Sequence, residues 1–169
     1  AIELAQQGID SNEGGPFGCV VVKDGEIVGE GNNCVTSTND PTAHAEVVAI
    51  RNACQKLNSF QLDDCSIYTS CEPCPMCLSA AYWARIRRLD YANTRRDAAG
   101  IGFDDDLIYR EVALPIHGRS LPMKQLLREE AIMAYGSNSE TFTTVALAPN
   151  AAAHVVDVEV DTDTGQIQI

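Results

Sequence analysis

Residues 17–33, FGCVVVKDGEIVGEGNN, set two β-rich apolar runs on either side of Asp24-Gly25. Asp-Gly between such runs is a strong hairpin signal, because both residue types accept the positive φ angles of a tight turn. The period then changes. In TAHAEVVAIRNACQKL, Val47, Ile50, Cys54 and Leu57 recur at three- and four-residue intervals, which predicts a helix. Asp40-Pro41 reads as its start, with Asp40 as N-cap and Pro41 at the first helical position. CSIYTS (65–70) is predicted as a buried strand and PCPMCLSAAYWARI as a second helix opening near Pro73 and Pro75. RLDYAN (88–93) is predicted as a third core strand. GFDDDLIY (102–109) passes from acidic to apolar, a loop entering a helical turn. PMKQLLREEAIMAYG (122–136) reads as a helix with Gly136 as its stop.

Strands alternating with helices of this size predict an α/β fold with three αβα layers. Its central mixed sheet would open with an antiparallel hairpin and be flanked by helices. The 169 residues suit one compact domain. After Gly136 the pattern becomes strand-like with polar turns, including DTDTG between alternating runs. The expected organisation is therefore a domain over 1–136 and a strand-rich C-terminal tail over 137–169. The chain opens at Ala1, without Met, inside the helical stretch AIELAQQGID, and so reads as trimmed at that end.

Composition narrows the function. With 45% hydrophobic and 21% charged residues the chain is an ordinary globular protein. No apolar run approaches the roughly 18–20 residues of a membrane span, and no signal peptide opens the chain. No membrane partner is expected. Acidic residues outnumber basic ones 24 to 12, for a net charge of −12 and a pI near 4.5. Affinity for nucleic acid comes largely from Lys and Arg neutralising phosphates, so no nucleic-acid partner is expected either. The basic cluster RIRRLDYANTRR (85–96) is short and interrupted and reads as a solvated face. Small substrates fit this balance. Seven cysteines, three of them within 71–77, beside a histidine motif favour metal binding over disulfides and a reducing, cytoplasmic setting.

The candidate metal ligands are His44, in PTAHAE (41–46), and Cys74 and Cys77, in SCEPCPMC (70–77). Two cysteines three apart on a helix share a face. A helix N-terminus also favours thiolate. Mixed nitrogen and sulfur ligands select zinc. Two arrangements are open. Cys71 could join the three in a closed structural Cys₃His site. Alternatively three ligands leave a position for a water that the metal activates. Cys71 ends a strand-like run, where its side chain can point away from the helix-borne pair. Glu46 also sits two residues from His44, and a closed site would leave it nothing to act on. The pattern H-x-E with P-C-x-x-C is that of zinc deaminases, whose Glu is not a ligand, so Glu46 is the candidate general acid and base.

PTAHAEVVAI together with TSCEPCPMCLSAAYWAR resembles the cytidine deaminase-like superfamily of zinc hydrolases. GGPFG (14–18), NDPTAHAEV (39–47) and the GFDDD motif (102–106) are similar to its guanine deaminase branch, over about residues 1–133. The resemblance implies the αβα fold, zinc on His44, Cys74 and Cys77, Glu46 as proton shuttle, a purine substrate and a homodimer. It also implies substrate contacts: Asn33 to hold the base, Asp105 as the acidic contact, and Phe17 and Trp83 as aromatic positions near the pocket. Helical geometry alone sets Trp83 over a turn and a half from Cys77 and off the ligand face. A carboxylate suits guanine, whose N1–H donor lies beside C2; cytosine and adenine present a ring acceptor beside their amino carbon. The expected reaction is hydrolysis of guanine to xanthine and ammonia.

Rival readings are guanosine deamination, tRNA adenosine deamination and a catalytically dead zinc scaffold. The acidic charge argues against the second and the presence of Glu46 against the third. The tail departs from the guanine deaminase branch, having Phe142 as its sole aromatic. HVVDVEVDTDTGQIQI resembles a strand segment of the xanthine dehydrogenase group, which suggests a fusion. An edge hairpin that packs on a dimer mate accounts for it equally well. His117 and His154 stand outside any motif and read as surface positions.

Overall fold

Helix α1 (Ile2–Asp10) leads into a hairpin of β1 (Gly18–Lys23) and β2 (Glu26–Asn32). Asp24 and Gly25 turn it with φ of 51° and 83°, the paired positive angles that match strand twist. There follow α2 (Val35–Thr38), α3 (Ala45–Leu57), β3 (Cys65–Cys71), α4 (Pro75–Trp83), β4 (Arg88–Asn93), α5 (Arg95–Gly100) and α6 (Asp106–Ala113). This computed structural model describes residues 1–136 and the backbone of 159–160 and 167–168. It has two compact units, Ala1–Ala113 and Leu114–Ile169.

In the first unit the sheet order is β2-β1-β3-β4. β1 pairs antiparallel with β2 and β3, and β3 pairs parallel with β4, the mixed sheet expected. Strand alternation decides what each face meets. Cys19 and Val21 pair with Gly31 and Gly29 on one side and with Thr69 and Ile67 on the other, so these six residues share a face. Helix α3 covers it. A Cβ on Gly31 would stand 2.4 Å from the Ala45 carbonyl oxygen, and one on Gly29 would stand 2.3 Å from that of Ala49. The helix answers with Ala45, Ala49 and Ala53, all fully buried. Helix α1 packs on the opposite face, where a Cβ on Gly18 would meet Ala5 N at 2.5 Å. The three layers are therefore α1, the sheet, and α3 with α4.

Four expectations need correction. Helix α3 starts at Ala45, not Pro41, because the Asp40 carboxylate accepts from the Thr42 N–H and hydroxyl in a local turn. Its core face is Ala45, Glu46, Ala49, Ile50 and Ala53, while Cys54 and Leu57 pack only at the margin. Shape complementarity to two glycines outweighs side-chain size here. β4 is an edge strand with Tyr91, Ala92 and Asn93 exposed, not a core strand. In the second unit the helix predicted over 122–136 covers only Arg128–Gly136, α7. Leu127 takes φ 51°, which a right-handed helix excludes.

The second unit also contains, among the described residues, a 3₁₀ turn at Ile116–Gly118, with His117 exposed, and an antiparallel pair of β5 (Glu159–Val160) with β6 (Ile167–Gln168). The remainder of the expected tail, with Phe142 and His154, lies outside the described residues. Among the described residues no helix is long and apolar enough to cross a membrane.

Candidate active site

Two helix N-termini converge above the sheet. His44 is the N-cap of α3 and Cys74 the N-cap of α4, and neither side chain makes a capping hydrogen bond. Both are thereby free for another task. Pro75 opens α4, where its missing N–H costs nothing. Cys77 lies one turn further, buried. His44 Nδ1, Cys74 Sγ and Cys77 Sγ form a triangle with every edge 3.6 Å. Zinc bonds of about 2.0–2.3 Å at tetrahedral angles separate neighbouring donors by about 3.5–3.8 Å. The three donors thus have the spacing that joint ligation of one zinc ion would require.

The electrostatics suit a cation. The Cys74 thiol is pushed down to about 4, chiefly by the hydrogen bond from the Cys77 thiol and then, against its burial, by His44. Cys77 is pushed up as the donor of that bond. The His44 imidazole is raised by its hydrogen bond to Cys74. Two sulfurs and a ring nitrogen this close compete for protons that a metal ion would replace.

Cys71 stands apart. It is buried at the end of β3 with its sulfur 3.6 Å from the Thr94 carbonyl, and the potential metal-holding group consists of His44, Cys74 and Cys77 without it. The three-ligand arrangement is the one this geometry can build. Glu46, in the first turn of α3, is 7% exposed. Burial raises its carboxyl above the usual range, partly opposed by a backbone hydrogen bond and by the Cys77 thiol.

A cavity of about 610 Å³ opens over the triangle, and Phe17, Asn33, Glu46 and Asp105 all line it. Asn33 Oδ1 accepts from the backbone N–H of Gly15 at 3.3 Å and of Val35 at 3.2 Å. Two donors fix that atom as the oxygen, so the amide NH₂ is left to the cavity. Asp105, raised mainly by burial, supplies acceptors. Trp83 is not brought to this cavity. It ends α4, the helix whose other end holds the ligands, and is 75% exposed, so its expected contact with substrate is not made within this chain.

Phe103 and Arg95 of the cavity lining escaped the sequence reading. Phe103 meets Phe17 edge-to-face at 5.0 Å between ring centroids, and its signal was its place inside GFDDD. Arg95, assigned above to a solvated cluster, lines the cavity instead. Its guanidinium lies 4.4 Å over the Tyr109 ring, and the Tyr109 hydroxyl donates to the Pro73 carbonyl at 3.0 Å. The α6 helix is thereby tied to the loop that carries Cys74, a long-range contact no local pattern announces.

The family model for the cytidine and deoxycytidylate deaminase zinc-binding region matches residues 1–93. Guanine deaminase of Bacillus subtilis is 54% identical over 135 residues, covering 80% of this chain and 86% of that protein. Its X-ray structure superposes with a TM-score of 0.81 at 51% identity, covering 85% and 91% of the two chains. Guanine deaminase from Nitrosomonas europaea gives a TM-score of 0.59 at 34% identity, covering 62% and 60%. A tRNA-specific adenosine deaminase of Aquifex aeolicus is 40% identical over 86 residues, covering 51% and 57%.

Proposed function

The chain belongs to the cytidine and deoxycytidylate deaminase family of zinc-dependent hydrolases, and we propose that its reaction is the hydrolysis of guanine to xanthine and ammonia. The observation that carries the substrate is the polarity of the cavity. Asn33 offers donors, because its carbonyl oxygen is spent on two backbone N–H groups. Asp105 offers acceptors from the GFDDD loop. Guanine matches both, with ring and carbonyl acceptors for the amide and N1–H beside C2 for the carboxylate. Adenine and cytosine would set a ring lone pair against Asp105. Two relatives named guanine deaminase support the same reading.

His44, Cys74 and Cys77 would hold the zinc ion. The chemistry it supplies is acidification of a water into a nucleophile near neutral pH. Glu46 accepts the proton of that attacking water at its carboxylate and passes it to the C2 amino group, which departs as ammonia. A carboxyl raised by burial suits a group that must both take and return a proton. Asn33 and Asp105 orient the base, and Phe17 with Phe103 forms the aromatic wall beside it. These residues all precede Asp106, in keeping with a deaminase domain over 1–136 and an accessory tail over 137–169.

The homodimer and the cytoplasmic setting belong to the same proposal. Tyr82 and Trp83 leave large apolar side chains exposed at the end of α4, surface that a second copy would cover. All seven cysteines are free, in keeping with a reducing compartment.

Asp105→Asn tests the substrate assignment. The amide keeps the shape but replaces a charged acceptor with a neutral carbonyl oxygen beside an NH₂ donor. Hydrogen bonds to a charged partner contribute about 1.5–3 kcal/mol, so kcat/KM for guanine should fall about 100-fold with zinc retained. Steady-state ammonia release checks it. An Asp105→Asn enzyme equal to the parent would mean that the carboxylate does not read the base.

A further inference from the structure

The proposed proton shuttle is buried, and something must hold it. Glu46 stands in the first turn of α3, among the residues that helix buries against the sheet, and lines the same cavity as His44 and Cys74. The sheet face beneath is the one carrying Cys19, Val21, Ile67 and Thr69. Among these, Thr69 brings a hydroxyl. It lies on a central strand, 4% exposed, and donates to Glu46 Oε1 at 3.2 Å. We propose that Thr69 is a positioning residue for Glu46, pinning one carboxylate oxygen from below so that the other is held for proton transfer at the metal site. The inference rests on the role given to Glu46 above and gives a role to a residue that had none.

The physical need is specific. A glutamate has three side-chain torsions, and a free carboxylate rotates about the last of them. Proton transfer needs an oxygen within hydrogen-bond reach of the reacting water. The hydroxyl of Thr69 selects one rotamer, and its β-branched side chain is itself stiff on the strand. The anchor is therefore rigid to its root: Thr69 pairs with Cys19 of β1 and Tyr91 of β4 across the sheet. The same bond also spares a buried carboxylate oxygen from being left without a partner. Cys19 beside it is apolar in effect, its thiol held protonated by burial first and by Glu46 second.

Thr69→Val and Thr69→Ser separate positioning from packing. Val preserves the shape and suits a strand, whereas Ser keeps the hydroxyl and loses only a methyl. Partners behind an active-site group typically change activity 10–100-fold. Thr69→Val should lower kcat by about that factor, with KM within about twofold and one zinc per chain, while Thr69→Ser recovers most of the loss. A Thr69→Val enzyme with the parent kcat would overturn the proposal, as would a Thr69→Ser enzyme that falls equally far. A crystal structure of Thr69→Val gives an independent answer, since Glu46 should leave its parent rotamer. An unchanged Glu46 overturns the proposal whatever the turnover. If instead the parent protein does not deaminate guanine, the substrate reading fails alone, and the Glu46 rotamer still decides the role of Thr69.

Discussion

Glu46→Gln should lower kcat for guanine by about 10⁴-fold while the protein keeps one zinc per chain. General acid–base catalysis contributes typically 10²–10⁴-fold. The upper end is expected because one carboxylate serves both proton transfers, from the water and to the amine. Gln is nearly isosteric, so the 7% exposed site suffers no cavity, and its amide oxygen can still accept from Thr69. Only the ability to hold a proton disappears. Steady-state ammonia release with metal analysis of the same sample checks it. Activity within tenfold of the parent would remove Glu46 from the mechanism.

Cys77→Ser and Cys71→Ser should differ completely, although both cysteines are buried and lie in one short motif. A serine hydroxyl is a poor zinc ligand, so Cys77→Ser breaks a triangle whose edges are all 3.6 Å. Without the ion, a water would lose the acidification that makes it a nucleophile near neutral pH, and guanine turnover should drop at least about 10³-fold. Added zinc should then no longer raise the melting temperature, because a ligand stabilises only the state that binds it. Cys71→Ser should keep zinc and that thermal shift, since the Cys71 sulfur faces the Thr94 carbonyl. Loss of zinc from both variants would restore the closed four-ligand site.

Signals packed into a few residues were legible. The Asp24-Gly25 hairpin, β3 and α4 follow from short spacings that act through local geometry, and the group of His44, Cys74 and Cys77 that could hold a metal joins two such motifs 30 residues apart. What failed depends on distant partners. Asp40-Pro41 carries a sound helix-start signal, but the Asp40 carboxylate spends itself on Thr42. That delay makes His44 the N-cap and turns its ring toward the cysteines. The buried face of α3 is set by Gly29 and Gly31 of β2, which a helical wheel of α3 cannot contain. Arg95 looked solvated among other arginines until α6 supplied the Tyr109 ring beneath it. Trp83 was expected near the pocket by resemblance, while the length of α4 carries it away.

The most direct test of the account is product analysis with zinc-loaded protein given guanine, guanosine, adenine and cytosine separately. The account predicts xanthine and ammonia in equal amounts from guanine. Turnover of adenine and cytosine should be slower by at least about 100-fold, because each opposes a lone pair to the Asp105 carboxylate. Guanosine should also be the poorer substrate. Faster release from guanosine, adenine or cytosine would contradict the account, and so would silence on guanine with one zinc bound per chain.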